Sequence, residues 1–142
     1  MRAPWQDYKL QLVAIRIESM YSPLLLEHFE HPRNVGELED ADAKVTVENP
    51  ACGDVMVLTL KVSDGKITSA RYRTKGCVAS IACGSQLTEM LIGQDINSVR
   101  VLERQELVAA VGGLSNETMH ASHLAFDALS AALRKLQAEP RA

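Results

Sequence analysis

Val55-Met56-Val57-Leu58-Thr59-Leu60-Lys61-Val62-Ser63-Asp64-Gly65-Lys66-Ile67-Thr68-Ser69-Ala70-Arg71-Tyr72-Arg73 is the stretch that decides the fold. Met56, Leu58, Leu60 and Val62 recur at period two, the spacing of a strand that buries one face. Ser63-Asp64-Gly65-Lys66 reads as a tight turn that sends the chain back into a second strand, Ile67 to Arg73. Upstream, Val45 and Val47 mark a further strand beginning near Lys44. Three strands joined by short connections predict an antiparallel meander, and such a sheet must cover one face with helices to bury it. The expected class is α+β.

The helices lie on both sides of this block. Ser22 and Pro23 suit the N-cap and first turn of a helix carrying Leu24, Leu25, Leu26 and Phe29, and Pro32, Asn34 and Gly36 end it. Ala79 to Ile92 reads as a helix closed by Gly93. Asp95 to Val111 reads as one or two shorter ones, and Thr118 to Gln137 as a long one. On that last helix Ala121, Leu124, Ala125, Ala128, Ala132 and Leu136 form a stripe at helical spacing. Residues 1–19 mix Trp5, charges and a short apolar patch, and are expected to be a poorly ordered or loosely docked extension. Residues 138–142 are expected to form a tail.

With 142 residues, of which 46% are hydrophobic, the chain has material for one core and not for two. A net charge of −3, with no long basic or acidic run, gives no electrostatic footprint for nucleic acid. No apolar run is long enough to span a membrane, and the N-terminus lacks the succession of a signal peptide, so a cytoplasmic location is expected. There the three cysteines, Cys52, Cys77 and Cys83, would stay reduced, which favours metal or thiol chemistry over disulfides.

Three short segments bring metal-ligating side chains to the edges of regular elements: Pro50-Ala51-Cys52-Gly53-Asp54, Lys75-Gly76-Cys77 and Met119-His120-Ala121-Ser122-His123. Gly53 permits a tight turn in which the Cys52 thiolate and the Asp54 carboxylate face one point. Cys77 sits just ahead of a helix, where free amides and the macrodipole favour a thiolate. Two thiolates, an imidazole and a carboxylate suit zinc or iron and not magnesium or calcium. By spacing alone, cysteines buried in an ordinary core account for the pattern equally well.

Tyr21-Ser22-Pro23, His31-Pro32-Arg33-Asn34-Val35-Gly36, Pro50-Ala51-Cys52-Gly53-Asp54-Val55-Met56, Lys75-Gly76-Cys77 and Met119-His120, taken in order, resemble the IscU/NifU-type (SufU-like) iron–sulfur cluster assembly scaffold family. The likeness runs from about Met20 to Gln137 and includes a three-stranded antiparallel sheet packed by helices. It implies a scaffold or carrier, not a conventional enzyme. Such a protein takes sulfur from a cysteine desulfurase and iron from a donor, holds a labile [2Fe-2S] cluster, and passes it to apo iron–sulfur proteins. Cys52 and Cys77 then match the first two cluster cysteines, Asp54 the aspartate that keeps the cluster labile, and His120 the histidine beside the third cysteine.

Ala121 stands where that third cysteine belongs. Cys52, Asp54, Cys77 and His120 still make four donors, enough for a tetrahedral zinc site or for two terminal ligands on each iron of a [2Fe-2S] cluster. The second expectation is thus a Zn2+-dependent sulfur acceptor working with a desulfurase, or a zinc-clipped regulatory module. Leu114-Ser115-Asn116-Glu117-Thr118 replaces the Leu-Pro-Pro-Val-Lys segment of chaperone-served members, so chaperone docking is not carried over. Cys83 is expected to be a buried thiol, His123 a surface or supporting residue, and His28 and His31 structural; a sulfur relay is the other reading of Cys83. Arg33 and Asn34 are candidates for ordering a loop over the site, and Lys75 for favouring the Cys77 thiolate, against ordinary surface roles.

Overall fold

The computed structural model describes residues 21–50 and 53–138. Helix α1 (Pro23–Glu30) leads into a sheet of β1 (Ala43–Glu48), β2 (Val55–Ser63) and β3 (Lys66–Lys75). Helices α2 (Val78–Leu91), α3 (Ile96–Arg100), α4 (Arg104–Ala110) and α5 (His120–Ala138) follow. The strand order is β1-β2-β3, and both pairings are antiparallel. The expected meander is therefore the observed sheet. The expectation for residues 1–19 lies outside the described residues.

Local sequence explains the joints. The β2–β3 hairpin closes through Asp64 and Gly65, both at positive φ (53° and 76°), the backbone of a two-residue turn whose twist matches the strands. Aspartate tolerates that region and glycine adopts it freely. The Ser22 side chain accepts a hydrogen bond from the Leu25 amide (3.0 Å) to cap α1, and Pro23 occupies the first turn, where no amide partner is lost. Ser22 also donates to the Val111 carbonyl, which ties α1 to the end of α4.

One face of the sheet is dry. Met56, Leu58 and Leu60 of β2 and Ile67, Ala70 and Tyr72 of β3 are at most 1% exposed. A register shift at Lys61/Val62 lets Ile67 and Ala70, three residues apart, point the same way before the period of two resumes. Helix α2 covers β3, α5 covers β1 and β2, and the two helices pack on each other while α1 rests on α2. The α5 stripe is buried as expected through Ala132, with Leu129 added to it, while Leu136 is only half-buried.

The seat of α2 on β3 decides where the functional end of that helix lies. Gly84 is the point of closest approach: a Cβ there would stand 2.4 Å from two ring carbons of Tyr72. The Tyr72 hydroxyl donates to the Ile81 carbonyl (2.8 Å), so the ring lies along the helix with its polar end satisfied. Any larger residue at 84 would lift α2 from the sheet. With the middle of α2 fixed this way, its N-terminus is held at the end of the sheet where β2 begins and β3 ends.

Candidate functional site

Three chain segments converge at that end. Asp54 immediately precedes β2, Cys77 is the N-cap residue of α2, and His120 opens α5. One ligand atom from each of Asp54, Cys77 and His120 lies within 4.8 Å of the others. The closest approaches are 3.6 Å from Cys77 Sγ to His120 Nε2 and 3.7 Å from His120 Nε2 to Asp54 Oδ2. Cys52 lies outside the described residues, but it is two positions before Asp54 and joined to it by Gly53, whose φ is +74°.

Asp54 is 7% exposed yet well provided for. The buried Ser80 hydroxyl donates to Asp54 Oδ2 (2.7 Å), and the adjoining side chain and amide of Cys77 also favour its anion. Burial pushes the Asp54 carboxyl up, but these contacts and the nearby His120 outweigh it, leaving the pKa below its ordinary 3.8. Asp54 thus stays an anion at the N-terminus of α2, where the helix dipole also favours negative charge. Gly76 makes room for it: a Cβ at that position would come within 2.7 Å of the Asp54 carboxyl carbon.

Cys77 is half-buried and adjoins the same hydroxyl, with Sγ 3.3 Å from Ser80 Oγ. Since the Ser80 hydrogen goes to Asp54, Ser80 accepts from the Cys77 thiol. The first turn of α5 is braced from α4, where Arg104 donates to Ser122 Oγ (3.0 Å) and Met119 Sδ (3.2 Å). Ala121 is fully buried and brings no donor atom. A thiol, an imidazole and a carboxylate within contact distance make a soft-to-borderline donor set of the kind that suits a transition-metal ion.

Other candidates fall elsewhere. Cys83 is fully buried, and burial, with a smaller push from Cys77, raises its pKa to about 12. His123 is exposed. His28 is buried and bonded through Nδ1 to Ser85 Oγ (2.7 Å), whereas His31 is exposed at the end of α1. The idea that Arg33 and Asn34 order a loop over the site needs correction. The Arg33 amide donates to Ser85 Oγ (2.9 Å) and the Asn34 side-chain amide to Thr88 Oγ1 (3.1 Å), so both pack against the second half of α2. At about 1.5 Å rise per residue, Ser85 stands roughly 12 Å along the helix from Cys77. Lys75 is exposed at the end of β3.

Sequence alone assigns no role to Ser80 or Arg104, and Gly76 figures in it only within the Lys75-Gly76-Cys77 segment, without its contact to Asp54. Ser80 had a usable signal, because a residue three places after a helix N-cap shares its face. Gly76 and Arg104 act through contacts with segments distant in sequence, which leave no local pattern.

Among the described residues no helix is long and apolar enough to cross a membrane. The pattern of the NifU-like N terminal domain family matches residues 20–142. The chain is 46% identical over 114 residues to the iron-sulfur cluster assembly scaffold protein IscU 1 of Archaeoglobus fulgidus, covering 80% of this chain and 74% of that one. It is 38% identical over 117 residues to the scaffold protein IscU of Escherichia coli K12, covering 80% and 91%. In structure it is similar to a nitrogen-fixing NifU-like protein (N-terminal) from Brucella abortus, with TM-score 0.71, 21% identity, and 87% and 99% coverage. A match across nearly the whole chain in sequence, joined to the same three-stranded sheet and helices in structure, places this chain in the NifU-like N-terminal domain family.

Proposed function

We propose that this protein is an IscU-type iron–sulfur cluster assembly scaffold that holds a [2Fe-2S] cluster as cargo on Cys52, Asp54, Cys77 and His120 and yields it to apo iron–sulfur proteins. The observation that carries the reading is the meeting of Asp54, Cys77 and His120 from three elements within 4.8 Å. The relatives named as scaffold proteins support the same role. Cys52, next but one to Asp54, completes four donors, two for each iron. Sulfur would come from a cysteine desulfurase and iron from a donor protein. The residues act by holding and releasing cargo, and the role calls for no chemical turnover of the protein's own.

The donor set favours release. Carboxylate and imidazole are harder donors than thiolate and hold iron less firmly, so replacing half of an all-cysteine shell weakens the grip. The hydrogen bonds on Asp54 already engage part of its charge. Ala121 supports a second reading. With no third thiol at that position, the four remaining donors also make a tetrahedral Zn2+ site, suited to a sulfur acceptor or to a zinc-clipped regulatory module.

Metal analysis decides between them. The protein is purified without added metal; zinc, iron and acid-labile sulfide are quantified, and visible spectra are taken before and after anaerobic reconstitution. Sulfide-to-iron charge-transfer bands, about one sulfide per iron, and transfer of colour to an apo-ferredoxin are expected. Tightly held stoichiometric zinc with no sulfide uptake would overturn the cluster reading in favour of the zinc one.

A further inference from the structure

Ser80 is fully buried in the first turn of α2, and its one hydroxyl is engaged on two sides. It donates its only hydrogen to Asp54 Oδ2 at 2.7 Å, the length of a charge-assisted bond. On the other side it stands 3.3 Å from Cys77 Sγ, from which it accepts. His120 Nε2 also faces both groups, at 3.7 Å from Asp54 Oδ2 and 3.6 Å from Cys77 Sγ, but Ser80 makes the shorter contact with each. The carboxylate it holds belongs to the segment before β2, while the sulfur belongs to its own helix. Ser80 therefore fixes the relation between two donors from different parts of the fold.

We propose that Ser80 is the positioning residue of the metal site, setting the direction of the Asp54 carboxylate relative to the Cys77 sulfur before any cargo arrives. This rests on the ligand assignment made above. The physical reason is orientational: a carboxylate at the end of a rotatable side chain presents its lone pairs to the metal only if something stops it turning. Burial alone does not stop rotation, and His120 at 3.7 Å and Cys77 adjoin the carboxylate less closely than the Ser80 hydroxyl at 2.7 Å. Ser80 supplies the directional restraint. It is not itself a ligand, because its hydrogen is committed to Asp54 and its oxygen to Cys77.

The test uses Co2+ as a spectroscopic probe in anaerobic titrations of the full chain, comparing wild type, Ser80→Ala, Asp54→Ala and the double variant. Ser80→Ala is expected to weaken Co2+ binding 10- to 100-fold. It should keep the sulfur-to-cobalt charge-transfer band at saturation, because Cys77 still binds, while the d–d bands change with ligand geometry. Urea midpoints of the metal-free variants report the fold independently. In the Asp54→Ala background, adding Ser80→Ala should cost less than about threefold, because Ser80 acts through Asp54. Equal affinity of wild type and Ser80→Ala overturns the proposal while leaving the ligand set intact. So does a Ser80→Ala penalty of the same size in both backgrounds, which is the behaviour of a residue that only supports the fold. A wild type that takes up no Co2+ overturns the ligand assignment and this proposal with it.

Discussion

The first turn of α2 and its middle each present a cysteine, six residues apart, in surroundings that differ in every respect that governs thiol chemistry. Cys77 is half-buried at the helix N-cap among Ser80, Asp54 and His120, all polar and within contact distance. Cys83 is fully buried in the apolar cluster shared with Ala79, Ala82 and Leu87, and its thiol is pushed up to about 12. One helix serves two purposes because its middle must be anchored before its end can be aimed. Tyr72 and Gly84 provide the anchor, and Gly76, Ser80 and Asp54 provide the aim. A thiol in the anchored part behaves as a small hydrophobe; a thiol at the aimed end is available to a ligand.

The contrast is broken most sharply by thiol labelling. The thiolate is the nucleophile, and raising a thiol from its usual value near 8.5 to about 12 lowers the thiolate fraction at neutral pH by roughly 10³. Iodoacetamide on the folded protein, read by peptide mass mapping, is expected to modify the half-buried Cys77 well before the fully buried Cys83. Comparable rates under native conditions would end the distinction between the two positions.

A smaller effect is expected from loosening the anchor. Gly84→Ala places a methyl group against the Tyr72 ring, and overpacking of that kind should cost about 2 kcal/mol in urea unfolding. Unchanged stability would mean that α2 is not seated by this contact.

In pH, the surroundings of the two ends of this comparison act on opposite limbs. Asp54 has a folded pKa below its ordinary value, so its stabilisation is present above that value and fades as pH falls through the folded pKa, below about 4. Cys83 has a raised folded pKa, so its share is present below the ordinary thiol value and is lost as pH rises towards about 12, alongside that of Tyr72. Asp54→Asn should flatten the acid limb of a stability profile, and Cys83→Ala should reduce the alkaline one. Variants that alter the wrong limb, read by urea midpoints across pH, would reverse the assignment.

Period-two burial in β2, the Asp64-Gly65 turn, the Ser22-Pro23 start of α1 and the alanine-rich stripe of α5 were legible in the sequence because each follows from contacts between near neighbours or from one-sided burial. The family segments likewise marked Asp54, Cys77 and His120 as candidates. Residues Arg33 and Asn34 show the limit of that reading, since a segment that travels with the site in sequence packs on Ser85 and Thr88 instead.

The sequence by itself determined the elements, their order and the residue types able to bind a metal, since periodicity, turn chemistry and donor identity are local properties. Only the tertiary structure decided that a residue before β2, the cap of α2 and the start of α5 share one point, and that Ser80 bridges two of them. Residues 54, 77 and 120 are far apart along the chain. Their distances are set by how two helices seat on one face of a sheet, a cooperative property of the packed core that no short window of sequence carries.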